Sequence, residues 1–187
     1  MARLLDQVLV IDIEATCWDG PAPEGEENEI IEVGVATLDL ASLERGEKES
    51  LIVRPERSRV SRFCTELTTL TQEQVDEGMP FADACDALKT RFRSRQRTWA
   101  SFGDYDRRQF ERQCASTGVA YPFGATHLNV KNLLALARGL RYEVGLARAL
   151  KLLGLPLEGT HHRGHDDAWN VAAVLAALLG PQREPSS

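Results

Sequence analysis

The chain opens on a dense apolar run, Val8-Leu-Val-Ile-Asp-Ile13, β-branched at most positions, as a strand buried on both faces should be. A second run, Ile30 to Leu38, and a third, Glu49 to Val53, are joined through a turn near Arg45-Gly46 and predict a three-stranded antiparallel meander. Residues 18–28, rich in Gly, Pro, Asp and Asn, read as a loop. Beyond residue 53 the period changes. Thr71-Gln-Glu-Gln opens like a helix, and Phe81, Ala84, Cys85, Leu88 and Phe92 recur at helical spacing. Thr98 to Phe102 predicts a fourth strand running into a helix over about 104–116, and Thr126 to Val130 a short fifth strand. Three further helices are expected over about 130–138, 143–153 and 165–179, the last two separated by the loop Gly154-Leu-Pro-Leu-Glu-Gly159.

Strands first and helices interleaved later predict an α/β fold. Its mixed five-stranded sheet combines the antiparallel meander with parallel strands and is flanked by helices. At 187 residues the chain suits one domain, expected over residues 1–180, with a disordered tail over 181–187. Apolar residues make up 43%, enough for a sizeable core. The longest uninterrupted apolar run, Val171 to Leu179, is about half a membrane span, and the first residues lack a signal-peptide pattern. The expectation is a cytoplasmic protein with no membrane partner. Cys17, Cys64, Cys85 and Cys114 form no CxxC pair and read as free, mostly buried thiols. Nothing in the sequence sets the oligomeric state.

Charge is divided along the chain. Residues 1–50 hold 13 acids against 3 bases, whereas residues 51–187 hold 15 acids against 19 bases. Arg54, Arg57, Arg59 and Arg62 form one basic run, and Lys89, Arg91, Arg93, Arg95 and Arg97 another; either could meet phosphates or simply stay solvated.

Three segments carry candidate chemistry. Asp12 and Glu14, at i and i+2 of the first strand, project from one face, and two carboxylates on a buried strand call for a cationic partner such as a hard divalent metal. In Ser101-Phe-Gly-Asp-Tyr-Asp106 a strand ends where a helix begins, so acids stand at the carboxyl edge of the sheet. Asp104 fits the N-cap position, and Asp106, four residues before Phe110, faces inward as the metal ligand. The third segment, His161-His-Arg-Gly-His-Asp-Asp167, pairs either His161 with Asp166 or His162 with Asp167. At about 100° per residue, Val171, Val174 and Leu178 fall within about 40° of Asp167, so Asp167 crowns the apolar stripe and His162 is its partner. Asp166, turned about 100° away, reads as an ordinary acid at a helix N-terminus. A zinc site of His161, His162 and His165 fits no common spacing.

Together these segments resemble the DEDDh 3′→5′ exonucleases of the ribonuclease H-like fold, through Asp12-Ile-Glu14, Asp106 and the H-x4-D run from His162 to Asp167. Asp12 to Trp18, Asn28 to Gly34, Glu66 to Asp76 and His161 to Asn170 are similar to the subgroup that trims histone mRNA and small interfering RNAs, with its bacterial KapD-like relatives. The likeness covers roughly residues 6–180; His165 stands where the subgroup usually has an apolar residue. The resemblance implies two Mg²⁺ (or Mn²⁺) ions held by Asp12, Glu14, Asp106 and Asp167, with His162 as general base. It implies that the terminal nucleotide is received by His162 and by the stretch after the first acid through Ile13, Ala15, Thr16 and Trp18. Phe63 is a further stacking candidate, and Glu32 and Asn170 stand behind the site. The expected partner is the 3′ end of single-stranded RNA or DNA, RNA favoured, with nucleoside 5′-monophosphates as products. The alternatives are a DNA-directed proofreading or repair exonuclease and a non-catalytic nucleic-acid-binding module.

Overall fold

The computed structural model describes residues 4–180; the expected tail at 181–187 lies outside the described residues. Five strands form one sheet in the order β3-β2-β1-β4-β5, with β1 at Leu4–Ala15, β2 at Ile30–Asp39, β3 at Arg45–Ile52, β4 at Arg97–Ser101 and β5 at His127–Asn129. β1, β2 and β3 pair antiparallel, while β1, β4 and β5 run parallel, so the mixed α/β sheet is the one expected. Seven helices flank it: α1 Arg62–Thr68, α2 Gln72–Asp76, α3 Phe81–Thr90, α4 Tyr105–Thr117, α5 Val130–Ala137, α6 Leu146–Leu153 and α7 Gly164–Leu179. Among the described residues no helix is long and apolar enough to cross a membrane. All four cysteines are free, and three of them are buried.

Alternation along β1 divides the core. Leu9, Ile11 and Ile13 face a cluster with Phe81, Leu88, Trp99 and Phe110 from α3, β4 and α4. Val8 and Val10 face the opposite cluster with Leu134, Leu150, Val171 and Val174 from α5, α6 and α7. Continuing that parity puts Asp12 and Glu14 on the α7 side of the sheet.

The structure corrects several boundaries. β1 starts at Leu4 rather than Val8, because Leu4 N–H bonds Gln96 O at 2.9 Å and Arg97 holds Asp6 at 2.7 Å. The turn before β3 lies at residues 40–44 rather than at Arg45-Gly46: the Asp39 carboxylate accepts the N–H groups of Ala41 and Ser42, a turn-forming side chain. Helix α1 was not expected. Its signal is Ser61, whose Oγ accepts Cys64 N–H at 3.0 Å as an N-cap. At Thr71 the expected start is borne out, with both bonds of a capping box. Helix α6 begins at Leu146 rather than near residue 143, after Gly145.

The seating of α7 depends on two glycines. Gly34 lies on β2 opposite Asp12 of β1, and a Cβ there would collide with the backbone of Gly164 and His165. Gly164 opens α7, and a Cβ on it would meet Asp12 O at 3.0 Å and Gly34 N at 3.1 Å. The helix start therefore rests directly on sheet backbone. We expect Gly34→Ala to cost on the order of 3 kcal/mol by lifting α7, measured by urea unfolding; a variant as stable as the parent would contradict this seating.

Candidate active site

The carboxyl end of β1, the first turn of α4 and the first turn of α7 meet at one cavity of about 360 Å³. Asp12, Ile13, Glu14, Asp106, His162 and Asp167 all line it. Asp106 is only 4% exposed and its Oδ1 accepts Ile13 N–H at 3.0 Å, which ties the start of α4 to β1 between the two strand acids. Asp167, equally buried, accepts His162 N–H at 2.9 Å and faces His161 Nδ1 at 3.0 Å. Four carboxylates brought from three distant segments thus share one pocket.

Their electrostatics are those of carboxylates crowded into one buried cleft. Burial, then Asp106, Glu14 and Asp167, hold the Asp12 carboxyl well above the ordinary range. Burial, followed by Asp167, Glu32 and Asp106, pushes Glu14 up to about 9, against the pull of Arg163. Burial raises Asp106 to about 6, less than its neighbours because Ile13 N–H favours the anion. Oxygens of Asp12, Glu14 and Asp167 lie within 4.8 Å of one another, so this trio could hold a divalent cation, and an all-oxygen set suits a hard one. Carboxylates that destabilise one another inside a cleft mark a functional site.

Around this cluster stands a ring of acids that are already neutralised. Glu32, fully buried, accepts from Ser50 Oγ at 2.6 Å, His165 Nδ1 at 2.7 Å, Arg163 Nε at 3.1 Å and Gly164 N–H at 3.1 Å. Burial would raise its pKa, but the bonds from Ser50, His165 and Arg163 outweigh it and hold the carboxyl below the ordinary range. Asp166 pairs with Lys48 and accepts Thr160 N–H at 2.8 Å; it is 7% exposed. It stands in the first turn of α7, as expected of a helix N-terminal acid, and is in addition an ion-paired anchor for the preceding loop. Asn170 clamps the same loop through Glu158 N–H at 3.0 Å and Glu158 O at 2.8 Å. Between these anchors His162 has φ of +63°, a left-handed conformation uncommon outside glycine, and its ring stacks on His161 at 4.0 Å.

Not every expected residue faces the cavity. Ala15 is buried beyond it. Thr16 is fully buried, with its hydroxyl donating to Glu27 O at 3.0 Å and accepting Glu29 N–H at 2.9 Å, so it fastens the loop. Trp18 and Phe63 do not line the cavity; its aromatic walls are Phe102 and Tyr105, and Tyr105 is 56% exposed. His161 and Leu146 also line it. Tyr105 had a signal in its place between two acids at the strand-to-helix junction; Leu146 had none, since its position depends on how α6 packs. Asp104 occupies the N-cap position but makes no capping bond, because its carboxylate turns to Arg107 at 3.2 Å. The ring of His165 is taken by Glu32, so it does not join His161 and His162, which group instead with Asp167.

Comparison with known proteins agrees with this geometry. The family model described as exonuclease (RNase_T) matches residues 9–175. The chain is 31% identical to 3′-5′ exoribonuclease 1 of Homo sapiens over 93% of its own length, and spans about half (52%) of that protein. It is also 31% identical to the probable 3′-5′ exonuclease KapD of Bacillus subtilis, covering 87% of this chain and 80% of KapD. A solved nuclease domain of 3′hExo, described as a DEDDh family member bound to rAMP, superposes with a TM-score of 0.77 at 30% identity over 94% of this chain and 92% of that domain. Family match, sequence likeness and fold converge, and the chain belongs to the exonuclease family, in its DEDDh branch.

Proposed function

We propose that this protein is a divalent-metal-dependent 3′→5′ exonuclease that removes nucleoside 5′-monophosphates from the 3′ end of single-stranded nucleic acid. The observation that carries the reading is the convergence of Asp12, Glu14, Asp106 and Asp167 on one cavity beside a histidine-bearing loop. The donor set fits Mg²⁺ or Mn²⁺, because the four acids offer carboxylate oxygens, the ligands a hard cation prefers, and the repulsion felt by Glu14 is eased only in part by Arg163. When bound, two such ions would neutralise charge on the scissile phosphate and stabilise the attacking and leaving oxygens. Asp12, Glu14, Asp106 and Asp167 would hold them. His162 is the general base in this reading. Among the described residues its ring makes no hydrogen bond or ion pair with a carboxylate, whereas His161 Nδ1 is engaged by Asp167; and burial, then His161, lower its pKa against the pull of Asp167, so that the neutral ring can accept a proton near pH 7. The exposed ring of Tyr105 can stack on the terminal base. A cavity near 360 Å³ suits one nucleotide rather than a duplex. RNA is the favoured substrate by likeness to the exoribonucleases, and the cytoplasmic setting expected from the sequence belongs to the same reading.

Three outcomes test it. Asp12→Ala should abolish Mn²⁺-dependent release of nucleotides from a single-stranded oligonucleotide, and a near-normal rate would contradict the metal assignment. His162→Ala should lower kcat by roughly 100- to 10,000-fold while cation binding, followed by calorimetry, persists. The reverse pattern, with His161→Ala the damaging change, would transfer the base to His161. The third outcome concerns stability. A carboxyl whose folded pKa is raised stabilises the fold at low pH, and that contribution fades as pH climbs from the unfolded value through the folded one, here from 4.5 to about 9 for Glu14. The melting-temperature gain from Mg²⁺ should therefore be small near pH 5 and grow toward pH 9, while Glu14→Gln should raise the metal-free melting temperature by a few degrees and lose the gain. A gain that ignores pH would contradict the carboxylate cluster.

A further inference from the structure

Five of the nine cations in the two basic runs prominent in the sequence are held in local ion pairs. Arg57 pairs with Glu27 at 2.7 Å, Arg62 with Glu66 at 2.6 Å, Lys89 with Asp86 at 2.5 Å, Arg97 with Asp6 at 2.7 Å, and Arg91 with Glu49. The stretch from β5 to the end of α6 also leaves cations unpaired. Residues 127–153 hold five Lys or Arg and a single acid, Glu143, in a chain of net charge −6. Glu143 is occupied by Lys131 at 3.5 Å, while Arg138, Arg141, Arg148 and Lys151 are exposed and make no ion pair among the described residues.

Two residues of this stretch, Lys131 and Leu146, tie it to the neighbourhood of the cavity. Leu146, the first residue of α6, lines the cavity, and a methyl group placed on Gly103, beside the cavity-lining Phe102, would touch Lys131 at 3.9 Å. Arg141 and Arg148 flank Leu146 in sequence, within about 18 Å of chain on either side. On α6, Leu146, Ala149 and Leu150 are buried in the core, which leaves Arg148 and Lys151, three apart, together on the outer face. Before α6, Tyr142 is 73% exposed, with the Arg141 guanidinium 5.6 Å from its ring centroid. Unpaired cations interleaved with an exposed aromatic are what a sequence-tolerant single-strand track requires: charge follows the phosphates and the ring takes a base.

We propose that the α5–α6 surface, through Arg141, Tyr142, Arg148 and Lys151, is the track that holds the nucleotides upstream of the 3′ end while the terminal one occupies the cavity. The proposal rests on the exonuclease reading and adds to it where the rest of the strand lies. A protein partner on this face is the competing occupant.

The test combines binding and cleavage by the full chain with 5′-labelled single-stranded oligonucleotides of increasing length. Wild-type affinity, read by fluorescence anisotropy, should rise as the strand lengthens past a dinucleotide and then level off. Arg141→Glu/Arg148→Glu should weaken binding of a long strand at least about 10-fold, flatten the length dependence, and lower the salt slope by about 0.7 for each phosphate no longer neutralised. Tyr142→Ala should weaken it about 10-fold and Tyr142→Phe should restore it. Dinucleotide turnover, which needs no track, should be unchanged in every variant and shows that each has folded. Unchanged long-strand affinity in the charge-reversed variant would overturn the track and leave the face to a protein partner. Equal losses on long and short substrates would overturn it as well. A wild-type protein that cleaves no length of strand would sink the exonuclease reading instead, and anisotropy still decides the track.

Discussion

Direct contact between the start of α7 and the backbone of β1 and β2 is the constraint on which the site depends. Gly34 and Gly164 make it feasible, since a methyl group at either position occupies space already taken by the other element. The consequence reaches beyond packing. Asp167 stands one turn into α7, and only a helix seated this low brings its carboxylate to Asp12 and Glu14 across the strand end. Strand parity sets the direction of the first two acids; helix seating sets the position of the last.

Bringing these acids together is unfavourable, and the fold offsets only part of the cost. Ile13 N–H stabilises Asp106, and His162 N–H together with the N-terminal end of α7 stabilises Asp167. Glu32 and Asp166 are compensated by Ser50, His165, Arg163 and Lys48. The contrast defines the site better than any single distance. Glu32 and Asp166 have cationic partners within the protein, whereas Asp12 and Glu14 are held mainly against one another and their acidic neighbours. Burial without compensation raises Asp12 and Glu14, so their charged forms are disfavoured until a cation stands beside them. The same network pins both sides of the loop carrying His162, whose left-handed backbone is strain of the kind found at functional positions.

Much of this was legible in the sequence because it follows from periodicity. A period of two puts Asp12 and Glu14 on one face, and a period of 3.6 distinguishes Asp167 from Asp166 as the residue aligned with the apolar stripe. The burial of Asp166 was not legible, because Lys48 comes from β3, more than a hundred residues away. Helix α1 escaped notice because it is seven residues long and too short to display a period, although Ser61 marks its cap. Thr16, Trp18 and Phe63 were expected at the nucleotide, yet Thr16 is spent on the 27–29 loop and the exposed aromatic at the cavity is Tyr105. Which neighbour of a ligand faces the pocket is decided by loop and helix packing, not by local pattern.

The central claim is that four carboxylates from β1, α4 and α7 form a single divalent-cation site. Anomalous diffraction from crystals grown with Mn²⁺ and a nucleoside 5′-monophosphate tests it most directly. Two peaks are expected inside the cavity, within reach of Asp12, Glu14, Asp106 and Asp167. An empty cavity, or a lone ion bound by His161, His162 and Asp167, would contradict it.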